Sequence, residues 1–310
     1  MRNFVITLVL ISALLPCSVR GQPRCGDPDP EISISVCSAL IQSGRLLGRD
    51  LAIAHTDRGV AYVTLLDYDR ALQDFDHAIR ADAKYAKAFA NRGAVYGAKQ
   101  DFDKAIEDFT RVVMLEPRSA HAFADRAGMH RLTGQHDAAI RDYTEAIRID
   151  PAFAEAILNR AITLAGTQRC ADAIADFTRV IELSGVPGSG SKFLFEQAAI
   201  ALVDRGVCHE KLGRDDFAVQ DYSAHIAIAP RSQDGLELRA ALYFRARQYD
   251  RALADYAQAL VVNPSSATAL YGRGMVKRMI GDSRSGDQDI ETARAMRPRV
   301  AEQMADRGVK

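Results

Sequence analysis

The chain has no tryptophan, and aromatic residues of any kind make up only 7% of it. It also lacks an excess of either charge, since 40 Lys and Arg residues stand against 40 Asp and Glu. That balance argues against a nucleic-acid partner, because neutralising a phosphate backbone takes a basic surplus. Ten prolines and 21 glycines are far from a fibrous pattern. With 48% hydrophobic residues the chain is too apolar to stay disordered. The apolar run at the N-terminus, Phe4 to Leu15, falls short of the roughly 20 residues that span a bilayer. What is left is a folded chain of 310 residues, nominally two domains by length.

The apolar run follows Arg2 and precedes Pro16 and Val19-Arg20-Gly21, which has small residues where a signal peptidase reads. Residues 1–21 are therefore expected to be a cleaved export signal, directing the chain to a bacterial periplasm or the medium. An uncleaved membrane anchor is the alternative, since residues 3–19 carry no charge. Leu14-Leu15-Pro16-Cys17 resembles a lipobox, but proline before the cysteine argues against one. After cleavage no membrane span is expected, and Cys25, Cys37, Cys170 and Cys208 remain. An even number of cysteines in an exported chain allows three pairings. Cys25 and Cys37, twelve residues apart in a segment with little else to hold it, are the favoured pair.

Self-comparison supplies the architecture. An aspartate followed by a ring recurs as Asp74-Phe75, Asp108-Phe109, Asp142-Tyr143 and Asp176-Phe177, in steps of 34 residues. After one step of 45 the series continues as Asp221-Tyr222, Asp255-Tyr256 and Asp289-Ile290. Seven units thus fill residues 52–300, with an insertion at 184–194. A small residue keeps phase at Gly59, Gly93, Ala127, Ala161, Gly206, Ala240 and Gly274. Twelve residues after each comes a second small residue, from Ala71 to Gly286. Facing small residues let two helix backbones approach, and the ring four residues on fills the space beside them. Apolar spacings of three and four predict two amphipathic helices per unit. Most units end in proline (Pro117, Pro151, Pro230, Pro264 and Pro298), which cannot continue a helix interior.

Asn91-Arg92-Gly93 with Tyr96, Phe102, Ala105, Phe109 and Pro117 resembles the tetratricopeptide repeat (TPR) family almost site for site. The resemblance covers residues 52–300. It implies an all-α fold, a right-handed α-solenoid of seven helix-turn-helix repeats with terminal capping helices. It further implies that the first helices line a concave groove along which peptides lie. His130, Leu164, His209 and Lys277 replace the family's usual aromatic, and repeat seven, with Gly286 and Ile290, departs furthest. Residues 22–51 are expected to hold an N-terminal capping helix. Residues 301–310, with Arg307-Gly308 in phase, are expected to begin an eighth first helix as a C-terminal cap.

Each aspartate of the series precedes an arginine by 18 residues, or by 29 across the insertion. The second helix of one repeat runs beside the first helix of the next, which predicts an inter-repeat ladder. Its rungs are Asp74–Arg92, Asp108–Arg126, Asp142–Arg160, Asp176–Arg205, Asp221–Arg239, Asp255–Arg273 and Asp289–Arg307. The alternative is bonding within a unit, or side chains facing solvent. The same packing makes Cys170–Cys208 a candidate disulfide, with two buried free thiols as the alternative. The insertion opens with Ser184-Gly185-Val186-Pro187-Gly188 and reads as a flexible loop. Its glycines do not make a phosphate loop, because Ser191-Lys192 reverses the required order and no strand precedes it. Phe193, Leu194 and Phe195 are expected to extend the next helix and pack on repeat four, or else to form an apolar lip.

No catalytic constellation emerges. Several of His55, His77, His121, His130, His136, His209 and His225 occupy phases where other repeats carry core residues. Packing is therefore expected of them rather than metal ligation, and no pair has a helical zinc spacing with a carboxylate. Carboxylates are distributed by the repeat, and no serine or cysteine sits in a nucleophile motif. The chain is read as non-enzymatic, with no cofactor and no metal. At the groove phases the lysine and asparagine of a carboxylate clamp are absent, and the later repeats turn apolar. Leu158, Ile162, Val203, Val207, Phe244, Tyr271 and Met275 are expected to hold an apolar or helical segment of a protein partner. The alternatives are a structural part of an envelope or secretion assembly, or an enzyme built on repeats.

Overall fold

The structure, a computed structural model, describes residues 24–185 and 192–310. The export-signal reading of residues 1–21 and the loop reading of 186–191 lie outside them. Among the described residues there are sixteen helices and no strand. The chain divides into two compact units, one up to Phe153 and one from Ala154 onward.

The first unit opens with α1 (Pro30–Gln42), whose N-terminus Asp29 caps by accepting from the amides of Glu31 and Ile32. Three helix pairs follow: α2 (Gly48–Thr64) with α3 (Tyr68–Ala81), α4 (Ala86–Ala98) with α5 (Phe102–Leu115), and α6 (Ala120–Leu132) with α7 (His136–Ile149). Within this unit α3 also packs against α4 and α5 against α6, and α1 packs on α2. The second unit holds α8 (Ala154–Gly166) with α9 (Cys170–Ser184), and α10 (Lys192–Lys211) with α11 (Asp215–Ile228). It continues with α12 (Asp234–Arg245) and α13 (Tyr249–Val262), α14 (Ala267–Met279) and α15 (Ser283–Met296), and ends in α16 (Val300–Asp306). The pairs are the seven sequence units.

The repeated sites form the core. Phe75, Phe109, Tyr143, Phe177, Tyr222, Tyr256 and Ile290 are all buried, as are the alanines four residues before the first six of them and Gly286 before Ile290. The ring lies directly over the small residue of its partner helix. A Cβ added to Gly59 would meet Cε1 of Phe75 at 2.6 Å, and one added to Gly206 would meet Cε1 of Tyr222 at 2.5 Å. In repeat seven, where the ring is replaced by Ile290, a Cβ on Gly274 would come within 2.6 Å of the Gly286 carbonyl oxygen. Small residues thus set how closely the two backbones pack.

One periodic feature is not visible as a residue pattern. The turn within every repeat passes through the left-handed region, at Leu66, Gln100, Gly134, Gln168, Gly213, Arg247 and Gly281. The amide of the next residue bonds back to the preceding helix, as Asp67 to the Tyr62 carbonyl and Asp101 to that of Tyr96. Four of the seven positions are not glycine, so they hold that conformation at a steric cost.

At its described end the insertion extends the next helix as expected, but the expected packing of Phe193 and Phe195 on repeat four is not seen. Lys192, Phe193 and Leu194 lengthen α10, with Phe193 and Phe195 left exposed and Leu194 half-buried. The C-terminal expectation holds in part: a short helix, α16, packs on α14 and α15 as a cap would. Residues 301–310 do not begin a full first helix: α16 ends at Asp306, and Gly308, at φ 78°, turns the chain away.

Candidate protein-binding surface

The arginine of each first helix meets an aspartate of the second helix in its own repeat. Nε and Nη2 of Arg58 donate to the two oxygens of Asp74 at 2.8 and 2.7 Å. The same two-pronged contact joins Arg92 to Asp108, Arg126 to Asp142, Arg160 to Asp176, Arg205 to Asp221, Arg239 to Asp255 and Arg273 to Asp289. The ladder pairing read from the sequence is therefore corrected: Asp74–Arg92, Asp108–Arg126, Asp142–Arg160, Asp176–Arg205, Asp221–Arg239, Asp255–Arg273 and Asp289–Arg307 are not the pairs formed. The carboxylates are spent on the fork within each hairpin, whose planar geometry fits both oxygens at once.

The guanidinium does reach the preceding repeat, through its third nitrogen. Nη1 of Arg92 donates to Asp76 at 2.6 Å, that of Arg126 to Thr110 at 3.3 Å, and that of Arg205 to Thr178 at 2.8 Å. Arg239 does the same to Ser223 at 2.8 Å. The acceptor is always the residue two after the buried aspartate. In α1 the hydroxyl of Ser38 fills this place for Arg58, at 2.9 Å. α1 thus stands where the second helix of a preceding repeat would stand.

Neighbours decide the acidity of these buried carboxylates. Burial raises the pKa of Asp74, but hydrogen bonds from Arg58 and His55 outweigh it and leave the group below its ordinary value. Asp289, flanked by Arg273 and Lys277, is lowered in the same way despite burial. Asp108 goes up instead. Burial dominates there, and the acidic Asp76 and Glu107 nearby oppose the help from Arg92.

Asp74 also belongs to a cluster in which His55, Asp74 and His77 bring ligand-type atoms within 4.8 Å of one another. His55 Nδ1 lies 2.8 Å from Asp74 Oδ1, and the two imidazoles stack with centroids 5.0 Å apart. Sequence spacing hid this group, because its members sit on α2 and α3. Both oxygens of Asp74 already accept from Arg58, whose positive charge would lie beside any bound cation. The geometry fits a hydrogen-bonded cluster better than a metal centre.

The residues assigned to the groove divide in two. Leu158, Val203, Phe244 and Tyr271 are buried, so they are packing residues in this fold. Ile162, Val207 and Met275 are half-buried on first helices. Phe244 and Tyr271 share one apolar cluster with Val300, Met304 and Val309, so the chain's own C-terminal segment packs where a ligand was expected. Sequence reasoning also missed Glu237, a buried carboxylate at a groove phase, whose pKa burial raises and which accepts from the Ser266 hydroxyl.

The structure joins Cys25 to Cys37, which ties the segment before α1 to that helix. Cys170 and Cys208, by contrast, are free buried thiols, and the second expected bridge is not formed. They do meet, as the packing of α9 on α10 requires. Burial first, and then the contact with Cys170, push the Cys208 thiol up to about 12. A Cys208 thiol held protonated in this way lacks the thiolate that disulfide exchange needs.

Stacked two-helix hairpins, each locked by an arginine fork and built on small residues facing a ring, define a helical-repeat protein of the all-α solenoid type. The chain belongs to the tetratricopeptide repeat family, which matches residues 86–119, 120–153, 158–232 and 238–283. Its fold is that of a protein–protein interaction scaffold. The chain is similar to the C-terminal part of a TPR repeat-containing protein from Cytophaga hutchinsonii, with TM-score 0.63 and 18% identity over 78% of this chain and 94% of that one. PilW, described as a widely conserved type IV pilus biogenesis factor, gives TM-score 0.55 and 19% identity over 68% of this chain and 92% of its own. YrrB, described as a TPR protein with an unusual peptide-binding site, gives 0.52 and 19% over 66% and 97%. At these identities the likeness is one of fold. No curated protein matches the sequence.

Proposed function

We propose that this protein is a non-enzymatic adaptor of an exported compartment, holding a peptide or helical segment of a partner protein against its first helices. The observation that carries the reading is the row of half-buried aliphatic and thioether side chains on those helices, Ile162, Val207 and Met275. Apolar residues on a first-helix face, in a family built for protein interaction, suit an apolar partner segment. The buried aspartates that recur in every repeat are engaged by arginine, which argues for a structural role rather than acid–base work. YrrB, a neighbour in fold, is described as binding peptide. Export is supported by the apolar N-terminal run and by the bonded Cys25 and Cys37, since disulfides persist in oxidising compartments.

The test replaces two half-buried residues, Ile162→Asp together with Val207→Asp, and sets aside the buried Leu158. Protein captured from the exported fraction by the wild-type chain should be lost to the double variant, while its helical circular dichroism is retained. Equal capture by both chains would sink the placement. A structural role in an envelope assembly, favoured only by the fold likeness to PilW, would show as stable co-purification with a large complex.

A further inference from the structure

The segment after the last repeat turns back within the second unit and reaches the first helix of the repeat before it, α12. Arg245, the last residue of α12, donates from Nη1 to the carbonyl oxygen of Arg307 at 3.3 Å. A Cβ added to Gly308 would meet Cδ of the same Arg245 at 2.6 Å and would displace that side chain, and φ of 78° there favours glycine as well. Val309 is fully buried beyond it, in the apolar cluster that also holds Leu236, Phe244 and Tyr271. The tail therefore lies on the face of the first helices α12 and α14. Arg245 is itself fixed by Glu210 at 2.8 Å, and the other Glu210 oxygen accepts from the Tyr222 hydroxyl.

Two polar groups on this face are poorly served by the tail. The Tyr256 hydroxyl is buried with no hydrogen-bond partner, and the Glu237 carboxylate is buried with the Ser266 hydroxyl donating to it. Arg307 is near enough for its charge to act on both, yet its side chain is exposed. One aliphatic side chain and one long hydrogen bond are what the last four residues contribute. An incoming segment that seats an arginine on Glu237 would give this buried carboxylate a direct ionic contact, where Arg307 and Arg297 act on it only through their charge.

We propose that the first-helix face of α12 and α14 is a docking surface for a protein segment carrying an aliphatic residue beside an arginine, and that Arg307–Lys310 occupies it until such a segment displaces it. The inference rests on the adaptor reading and adds the place, the partner chemistry and the competitor. Occupation by the tail lowers the apparent affinity of any partner by the fraction of molecules that are open.

The probe is a dye-labelled peptide with the sequence of residues 299–310, followed by fluorescence anisotropy. It is titrated against the full chain, a variant lacking 307–310, and the full-length Val309→Asp variant, which expels the tail but keeps α16. Both opened chains should bind at least about tenfold more tightly than the wild type, as expected when a competing state is removed. Adding Glu237→Gln to an opened chain should then weaken binding about fivefold or more, because the free peptide, unlike the tethered tail, can turn its arginine onto that carboxylate. Opened chains that melt like the wild type but bind no better overturn the proposal. Opened chains that lose cooperative melting also overturn it, because the tail is then an integral cap. Failure here is separable from failure of the adaptor reading. If Ile162→Asp with Val207→Asp still abolishes capture, that reading stands without this one.

Discussion

Arginine and aspartate recur at fixed phase, and the structure shows what one arginine does with its five donors. Two nitrogens close the hairpin on the buried aspartate, and a third reaches back to the preceding repeat. Lysine carries the same charge but no fork. Arg92→Lys should therefore leave one Asp108 oxygen and the Asp76 contact unserved, at a cost of about 1–3 kcal/mol for an unsatisfied buried acceptor. Chemical denaturation of the variant against wild type measures this, and an unchanged midpoint would remove the structural role of the fork. The sequence signalled that Arg and Asp belong together but could not say which with which. The forward separation of 18 and the backward separation of 16 complete one 34-residue period, so an arginine inside an uninterrupted run of repeats is in register with two aspartates. Periodicity cannot break that tie; the reach of the side chain does. His55 and His77 illustrate a different limit. They break the repeat pattern, so their neighbourhood with Asp74 comes from the packing of α2 on α3 and has no periodic signal.

At the scale of the helix hairpin, most of the design was legible. Ring, small residue and terminal proline each recur with the period, because each meets a steric demand that few residue types satisfy. The turn was not legible, because its demand is on the backbone. Leu66, Gln100, Gln168 and Arg247 hold positive φ with side chains that disfavour it, while Gly134, Gly213 and Gly281 do so freely. Backbone bonds that cap the first helix over-determine the conformation, so the residue type is free to drift. Relief of this strain is testable. Gln100→Gly should stabilise the chain by up to about 1 kcal/mol, less the entropy glycine adds to the unfolded state. Gly213→Ala, at φ 70°, should cost a similar amount. Thermal melts of both variants check the sign, and like signs would show that the left-handed turn is not under strain. The C-terminal segment escaped the sequence for a related reason. Arg307-Gly308 keeps the phase of an eighth repeat, and only the contacts with Arg245 reveal that it does not continue the stack.

For the molecule as a whole, the balanced charge of 40 against 40 now has an internal account, since the seven forks use one residue of each sign per repeat. The larger consequence of repetition concerns cooperativity. In a stack where each repeat contacts only its neighbours, stability is a sum of local and nearest-neighbour contributions. A lesion in one repeat should therefore loosen that repeat and the one beside it, leaving distant helices of the same unit protected. Gly274→Ala is a suitable lesion, because its new methyl would meet the Gly286 backbone oxygen at 2.6 Å, and a backbone atom cannot rotate out of the way. Overpacking of this kind costs about 1–3 kcal/mol. Native-state hydrogen exchange should show protection in α14 and α15 falling by about 5- to 150-fold, the equivalent of that energy at tenfold per 1.4 kcal/mol. α13, which packs on α14, should follow in part, and α8 and α9 should keep wild-type protection. A uniform fall across all these helices would mean that the second unit unfolds as one cooperative block, and the nearest-neighbour account of its stability would then be wrong.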